Sequence, residues 1–381
     1  MEATEEEDLL ESGLGRLRDL LGPGWEIVPL RFGVPDPPNL PPSDTVDSIF
    51  TVKDPGGMGS GPVLVEAKHD LTPRYVTSHL VPRVELMKRV QPGAAVLIVA
   101  PWLSPRTRDL LESLGYGYVD LTGNIQFRLA RPGVVIRVQG DQRAPTPVRS
   151  YARQLRGDKA GVLVRALVDV APPYRATPLA EATRISLPYV TRLLDTMESE
   201  ALVTRQGKRI VDVDWRGLLQ ERAARSELLQ ITSPLGMTAQ RGISDVLAAM
   251  RDFVRAGRRL AVTGPYAAAA VAPLTIGGQL MIYREDTDPQ ALRIDQRELR
   301  LLPTRPGGTP DVLLLTAPTT VVFAGRRWID GLPHVALSQL VLDSLSGSGR
   351  MPAEGQAVLD HMARTIDEWR LGDLTEWSRD Q

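Results

Sequence analysis

The sequence contains no cysteine among its 381 residues. This absence excludes disulfides, thiolate metal ligands and a cysteine nucleophile, and it fits a reducing cytoplasm. The sequence also lacks any apolar run close to the roughly 20 residues that a membrane-spanning helix requires. The basic start of a signal peptide is missing too, because the first residues are acidic (Glu2, Glu5, Glu6, Glu7 and Asp8). We therefore expect a cytoplasmic protein that has no membrane partner.

Net charge is nearly absent as well, at −1, but the charges are unevenly distributed. Apolar residues make up 43% and charged residues 24%, which indicates a folded chain long enough for two or three domains. Residues 1–148 carry a net charge of −4, residues 149–226 carry +5, and residues 227–381 carry −2. Only the middle segment is basic, as expected if that segment alone approaches phosphates.

The middle segment, 149–226, is predicted to contain three helices and a hairpin. The first helix runs from about Asp158 to Val170 and ends before Pro172–Pro173. A short second helix follows at about 178–183, with Thr177 as its N-cap and Pro178 as its first residue. Ser186 caps a third helix that runs to about Glu200 and has an apolar stripe on one face. Two short strands, 202–205 and 208–213, then flank a turn at Gln206–Gly207.

This order of elements is typical of a winged helix-turn-helix, whose third helix enters the major groove of double-stranded DNA. The residues predicted to face DNA lie on the third helix and the hairpin: Ser186, Tyr189, Thr191, Arg192, Arg205, Lys208 and Arg209. Arg192 is the candidate for guanine or phosphate contacts, and the hairpin charges suit phosphates or the minor groove. The alternative is a winged helix that contacts only protein.

The first segment, 1–148, is predicted to have the order α-β-β-β-α-β, with strands at 25–31, 46–52, 63–68 and 94–100 and helices at 5–21 and 74–90. Asp47 begins the second strand, and alternation along the third strand puts Glu66 and Lys68 on one face. Two carboxylates can hold Mg²⁺, and a lysine beside them can polarise an attacking water. This pattern resembles the PD-(D/E)XK restriction-endonuclease-like fold. Asp44 could replace Asp47, and Glu7 or Glu11 could be a helix-borne glutamate.

A second polar feature of the first segment is the stretch 116–129, which reads as two strands around Thr122-Gly123-Asn124. Glycine and asparagine tolerate positive φ, so a hairpin turn is expected, with Asp120 accepting hydrogen bonds from the turn backbone. A catalytic role for Asp120 is the alternative.

The third segment, 227–381, is predicted to alternate strands (260–263, 279–283, 299–302, 312–315 and 321–323) with helices (243–256, 336–345 and 352–370). The stretch VTGPYAAAAVAP, 262–273, has a strand, a glycine turn and a helix start. Nucleotidyltransferases use this topology to present a Gly-Ser turn to the phosphates of a nucleotide. Those enzymes also need aspartates on adjoining strands, and the strand QLMIY, 279–283, has none. Asp286 and Asp288 follow that strand, where capping explains them. We expect a scaffold or regulatory module.

Three stretches carry a family resemblance: VDVDWRGLL (211–219), VTGPYAAAAVAP and SQLVLDSLSGSGRMPAEGQAVLDHM (338–362). The first resembles the exit from the winged helix of regulatory proteins whose endonuclease-like region residues 46–145 also resemble. The other two resemble the C-terminal region of the abortive-infection type IV antitoxin regulators, autorepressing DNA-binding proteins with a winged helix and a nucleotidyltransferase-like domain. The resemblance implies transcriptional regulation. The expected fold class is a multidomain α/β and α+β chain with an endonuclease-like domain, a central winged helix and a degenerate nucleotidyltransferase-like domain.

The main functional hypothesis is a DNA-binding transcriptional regulator, a repressor that is not an enzyme and is associated with the nucleoid. Two alternatives belong to other classes. One is a Mg²⁺-dependent DNA endonuclease that uses Asp47, Glu66 and Lys68, with the two carboxylates as metal ligands. The other is an antitoxin-like interaction protein with a toxin or other protein partner. A homodimer is compatible with each of them, and Mg²⁺ is the one cofactor that the sequence suggests.

Overall fold

The computed structural model of the chain describes residues 2–29, 48–141, 155–274, 278–285 and 288–379. It is a mixed α/β structure whose two large sheets each contain parallel and antiparallel strand pairs. The chain divides into two compact units. Unit 1 comprises Met1–Arg149 and Ser199–Ala201, and unit 2 comprises Ser150–Glu198 and Leu202–Gln381. Within the described ranges, no helix has both the length and the apolar character needed to span a membrane.

Unit 1 is a seven-stranded sheet in the order β1-β2-β3-β4-β5-β6-β7, with helices packed on both faces. The strands are β1 (Glu26–Pro29), β2 (Ser48–Lys53), β3 (Ser60–Ala67), β4 (Ala95–Ala100), β5 (Gly117–Asp120), β6 (Ile125–Leu129) and β7 (Val134–Val138). The helices are α1 (Glu2–Leu21), α2 (Pro73–Tyr75), α3 (Val81–Val90) and α4 (Pro105–Ser113), with a π-helical turn at Val76–Leu80. Strands β3, β4 and β5 are parallel, and the remaining neighbours are antiparallel.

Alternation along the strands gives this sheet two separate apolar faces. Leucines of α1, among them Leu9, Leu14 and Leu17, cover the face that includes Val65. The other face, which includes Leu64, packs against the π-helical turn, α3 and α4. The predicted α-β-β-β-α-β order is therefore present in the described residues, whereas α4 and β7 were not predicted. The predicted role of Asp120 in its turn is confirmed, because Oδ1 accepts from the amides of Thr122 (2.9 Å) and Asn124 (3.0 Å).

Unit 2 begins with three helices, a three-stranded antiparallel sheet of order β8-β10-β9 and a fourth helix. These elements are α5 (Asp158–Asp169), β8 (Tyr174–Arg175), α6 (Ala176–Thr183), α7 (Leu187–Ser199), β9 (Val203–Gln206), β10 (Arg209–Val213) and α8 (Trp215–Ala223). The predicted stripe on α7 is buried and consists of Val190, Leu193, Leu194 and Met197. The predicted start of α6 is wrong: the helix begins at Ala176, with Arg175 in the N-cap position and no side-chain cap.

The rest of unit 2 is built on a second seven-stranded sheet of order β14-β11-β15-β13-β12-β17-β16. Its strands are β11 (Leu235–Ala239), β12 (Leu260–Thr263), β13 (Leu280–Arg284), β14 (Leu301–Pro303), β15 (Val312–Thr316), β16 (Arg327–Ile329) and β17 (Leu332–His334). Its helices are α9 (Leu228–Ile231), α10 (Ile243–Arg255), α11 (Gly264–Ala269), α12 (Pro289–Glu298), α13 (Leu337–Leu345), α14 (Met351–Arg364), α15 (Ile366–Trp369) and α16 (Leu374–Arg379). The strand predicted at 321–323 is instead a 3₁₀ turn, Thr320–Phe323, and β11, β16, β17 and α12 were not predicted.

One hydrophobic core runs through the whole of unit 2, from Leu155 to Trp377. Helix α5 lies inside it, so that even Arg165 is only 1% exposed. Its guanidinium bonds Asp169 on the same helix (Nε to Oδ2, 3.1 Å) and Gln339 of α13 (Nη1 to Oε1, 2.8 Å). The Trp377 indole N–H also donates to Asp169 Oδ2 (3.1 Å). The three-helix segment and the C-terminal segment therefore share one core and one buried polar network.

Candidate nucleic-acid interface

The exposed face of α7 is the surface that the sequence predicted to meet DNA. Ser186, Thr191 and Arg192 are exposed, whereas Tyr189 is half-buried against the core of unit 2. The Arg192 guanidinium lies 5.3 Å from the centroid of the Tyr189 ring, which is a cation–π contact. The start of α7 therefore presents one hydroxyl from each of Ser186 and Thr191, and one guanidinium, to solvent.

Arg205 does not lie at the tip of the hairpin as a free phosphate ligand. Its side chain is only 23% exposed and forms ion pairs with two carboxylates of α7. Nη2 donates to Asp195 Oδ1 at 2.6 Å, and Nε donates to Glu198 Oε2 at 2.8 Å. Such charge-assisted bonds have a fixed geometry, so Arg205 fixes β9 against α7. This positioning role of Arg205 was not predicted, and its predicted phosphate contact stays a prediction.

The remaining hairpin charges are exposed and face another cation. Lys208 lies in the turn at the hairpin tip, and Arg209 begins β10. In the antiparallel register, Arg209 lies directly opposite Arg175 of β8. Within the described residues, neither arginine has an acidic partner. Directly opposed like charges destabilise a sheet, so this pair is better suited to a surface that meets an anion.

Arg175 was not predicted as a functional residue, and neither was the exposed Arg184 in the turn between α6 and α7. The sequence does contain a signal for Arg175, because the short extended stretch at 174–177 needs a strand partner. Pairing that stretch with residues 208–213 brings Arg175 and Arg209 together.

Two residues of the predicted nuclease motif, Glu66 and Lys68, each form an ion pair with a helix of unit 1. Glu66 is 1% exposed, and its Oε2 accepts from Arg83 Nη2 of α3 at 2.5 Å. Lys68 follows the end of β3, and its Nζ donates to Glu6 Oε1 of α1 at 2.6 Å. Helices α1 and α3 pack on opposite faces of the sheet, so Glu66 and Lys68 have partners on different faces, not on the one face predicted.

The helix-borne glutamate near the motif is Glu6, whereas the predicted candidates Glu7 and Glu11 are exposed. Asp47 and its alternative Asp44 lie outside the described residues. Among the residues that the structure describes, no group of three or more acidic or histidine side chains could hold a metal ion. Glu66 could contribute one carboxylate to a magnesium ion, but Arg83 already neutralises it within hydrogen-bonding distance.

The predicted strand, glycine turn and helix start at 262–273 are present in unit 2, and α11 begins at Gly264 directly after β12. Gly264 has φ of 66°, and a Cβ there would lie 2.5 Å from the Met281 sulfur, so the glycine is needed for close packing. Asp288 caps α12 by accepting from the Gln290 amide (3.1 Å), as predicted, and Asp286 lies outside the described residues.

A buried carboxyl group lies beneath this turn. Asp343 of α13 accepts from Thr263 Oγ1 (2.6 Å), Tyr283 Oη (3.0 Å) and Gln339 Nε2 (2.8 Å). Burial raises the pKa of Asp343 to about 6, while the three hydrogen bonds and the charge of Arg165 act in the opposite direction. All its partners are protein groups, which identifies Asp343 as part of the core network.

No family model matches the chain, and no curated protein or solved structure was found to be similar to it.

Proposed function

We propose that this protein is a sequence-specific, double-stranded-DNA-binding regulator of transcription, in which unit 2 supplies a winged helix. Three helices followed by a hairpin, with α7 exposed on one face, are the arrangement that such a reader needs. In this arrangement Thr191 and Arg192 meet base edges, and the hairpin lies over the neighbouring phosphates. Repression is the regulatory role that the resemblance to type IV antitoxin regulators implies.

The observation that carries the proposal is the arginine pair Arg175–Arg209 beside Lys208. Two guanidiniums that lie opposite each other across a short sheet, with no acidic side chain between them, destabilise that sheet. Stability alone therefore does not explain this pair. A phosphate backbone removes that repulsion and gains charge-assisted hydrogen bonds.

Arg205 supports the same proposal in a different way. Its ion pairs with Asp195 and Glu198 hold the hairpin at a set orientation to α7. A reader that contacts a groove and the adjacent phosphates at the same time needs these two elements to be preorganised. The sequence predicted that Arg205 binds phosphate, whereas its ion pairs suit it to aligning the hairpin with α7.

For unit 1 we propose an endonuclease-like fold that does not cleave DNA. The order β1-β2-β3 antiparallel, helix, then β4 parallel to β3 is the order expected for that fold. The contact of Arg83 with Glu66 argues against cleavage, because a guanidinium at 2.5 Å competes with a metal ion for the carboxylate. Unit 1 would then serve as a binding or assembly module.

The test begins with selection of bound duplexes from a random pool by the full chain. The selected duplex is then titrated against two double variants. Arg175→Ala with Arg209→Ala is expected to weaken binding and to reduce the slope of log K against log salt by about 0.9 per lost phosphate contact. Arg293→Ala with Arg297→Ala removes two exposed arginines of α12 in the same unit and is the matched control.

The control pair is expected to keep the affinity and the salt slope of the native chain. If no duplex is enriched, the proposed DNA-binding function is wrong. Enrichment that survives the loss of Arg175 and Arg209 would place the reader elsewhere on the chain.

A further inference from the structure

Unit 2 contains a cavity of about 260 Å³ at the edge of its large sheet. Side chains of α10, α11 and the β16–β17 hairpin line it, among them Arg251, Tyr266, Ala270, Leu332 and His334. A water molecule occupies about 30 Å³ of liquid, so this edge cavity has room for about nine waters or for one small metabolite. None of these residues belongs to the proposed DNA-binding surface.

His334 gives the edge cavity its strongest chemical signal. The side chain is 2% exposed, and its Nδ1 lies 3.2 Å from the Leu332 carbonyl oxygen, which requires a proton on Nδ1. Burial lowers the pKa of His334, so the ring is neutral at pH 7 and Nε2 carries a lone pair. Among the described residues, no donor lies within hydrogen-bonding distance of this buried Nε2. An unsatisfied buried acceptor that lines a cavity indicates a ligand with an O–H or N–H group.

Two guanidiniums and one carboxylate, that of Asp330, lie near this acceptor, which leaves a net positive charge around it. Arg251 lines the cavity, and its Nε donates to the Asp330 carbonyl oxygen (2.9 Å), which fixes the guanidinium at the rim. Arg327 lies directly opposite His334 in the antiparallel register of β16 and β17. Its Nη2 is buried without a hydrogen-bond partner among the described residues, and burial lowers the pKa of Arg327 to about 10. A negative charge on the ligand would offset both guanidiniums.

We propose that the edge cavity binds a small organic anion that also carries a hydroxyl or N–H group, about the size of a four- or five-carbon hydroxy acid. The hydroxyl donates to His334 Nε2, and the acidic group lies against Arg251. Tyr266, whose hydroxyl has no hydrogen-bond partner among the described residues, supplies a second polar group at the wall. The site stands independently of the proposed DNA-binding function.

The test uses ligand-observed NMR and calorimetry on the full chain, with malate, 3-phosphoglycerate, inorganic phosphate and succinate as probes. Malate and succinate differ only in the hydroxyl, so malate is expected to bind about tenfold more tightly or better. Binding should also shift the ¹⁵N resonance of His334 Nε2. Preference for 3-phosphoglycerate over malate would identify the anion as a phosphate, and binding of inorganic phosphate alone would overturn the proposed organic ligand. Succinate that binds as tightly as malate would overturn the proposed need for a donor.

Two variants locate the site. Arg251→Gln removes the charge, and Ala270→Leu fills the cavity from an exposed position that can accept a larger side chain. Both are expected to weaken malate binding by about tenfold or more. Arg255→Gln, one turn further along α10, is the matched control and should bind as the native chain does. The proposal is overturned if neither hydroxylated probe binds at millimolar concentration, or if binding is unchanged in both cavity variants.

Discussion

Asp343→Asn should make the protein more stable at neutral pH, although it removes a charge that accepts three hydrogen bonds. The carboxyl group is fully buried within the core of unit 2, where an ionised form is costly. An asparagine can keep the same contacts, because its Oδ1 can accept from Tyr283 and Gln339. Its Nδ2 can donate to Thr263 Oγ1, which then changes from donor to acceptor.

The magnitude follows from the pKa values of the folded and unfolded states. Burial raises the pKa of Asp343 from 3.8 to about 6, so the folded protein retains a proton that the unfolded chain has already lost between these values. The stabilisation from that proton is fully present below pH 3.8 and is lost as the pH rises through 6. At about 1.4 kcal/mol per unit, the total loss is about 3 kcal/mol. The asparagine variant has no such loss.

The assay is urea unfolding at several pH values from 4 to 8, followed by tryptophan fluorescence, because most of the tryptophans lie in unit 2. The difference in unfolding free energy between Asp343→Asn and the native chain should grow from near zero at pH 4 to about 3 kcal/mol at pH 7. Asp367→Asn, an exposed carboxyl of α15 in the same unit, is the control. A difference that stays constant with pH, or a variant that is less stable at pH 7 than at pH 4 relative to the native chain, would refute the reasoning.

Four further predictions concern the proposed interface and the motif of unit 1. Arg192→Ala should weaken binding to the selected duplex by about 1–3 kcal/mol and relax the preference at one or two base pairs, and an unchanged preference in a repeated selection would remove Arg192 from the reader. Arg205→Ala should lower the free energy of unfolding by about 1–3 kcal/mol, because the mostly buried Glu198 loses an ion-pair partner. The same variant should leave the salt slope of DNA binding unchanged. Lys208→Ala, in contrast, should reduce that slope by about 0.9. The native chain should not cut plasmid or cognate duplex with Mg²⁺ or Mn²⁺, and cleavage that Glu66→Ala abolishes while binding is retained would contradict the proposed silent fold.

The positions of most elements could be predicted from the sequence because their signals are local. The stripe of α7 repeats within two turns, and the alternating strands of unit 1 are bounded by turn residues within a few positions. The prediction failed where local preference and tertiary environment differ. Val321–Phe323 has the β-branched and aromatic composition of a strand, yet it forms a 3₁₀ turn in which the Val321 carbonyl accepts a hydrogen bond from the Arg165 guanidinium.

The candidate site was predicted only in part, for the same reason. Exposure of Arg192, Lys208 and Arg209 follows from their positions off the apolar stripe and at the hairpin turn. The partners of Arg205 do not follow from its position in the sequence, because its ion pairs depend on how β9 packs against α7. The opposition of Arg175 and Arg209 depends likewise on a strand register that no single segment encodes.

By itself, the sequence determined the composition classes, the positions of most helices and strands, and the basic character of residues 149–226. Only the tertiary structure decided which charges are neutralised. Glu6 and Lys68 are 62 residues apart, and Thr263 and Asp343 are 80 apart. Such pairs are set by the packing of whole elements, since a buried charge is stable only where another element brings its partner within about 3 Å.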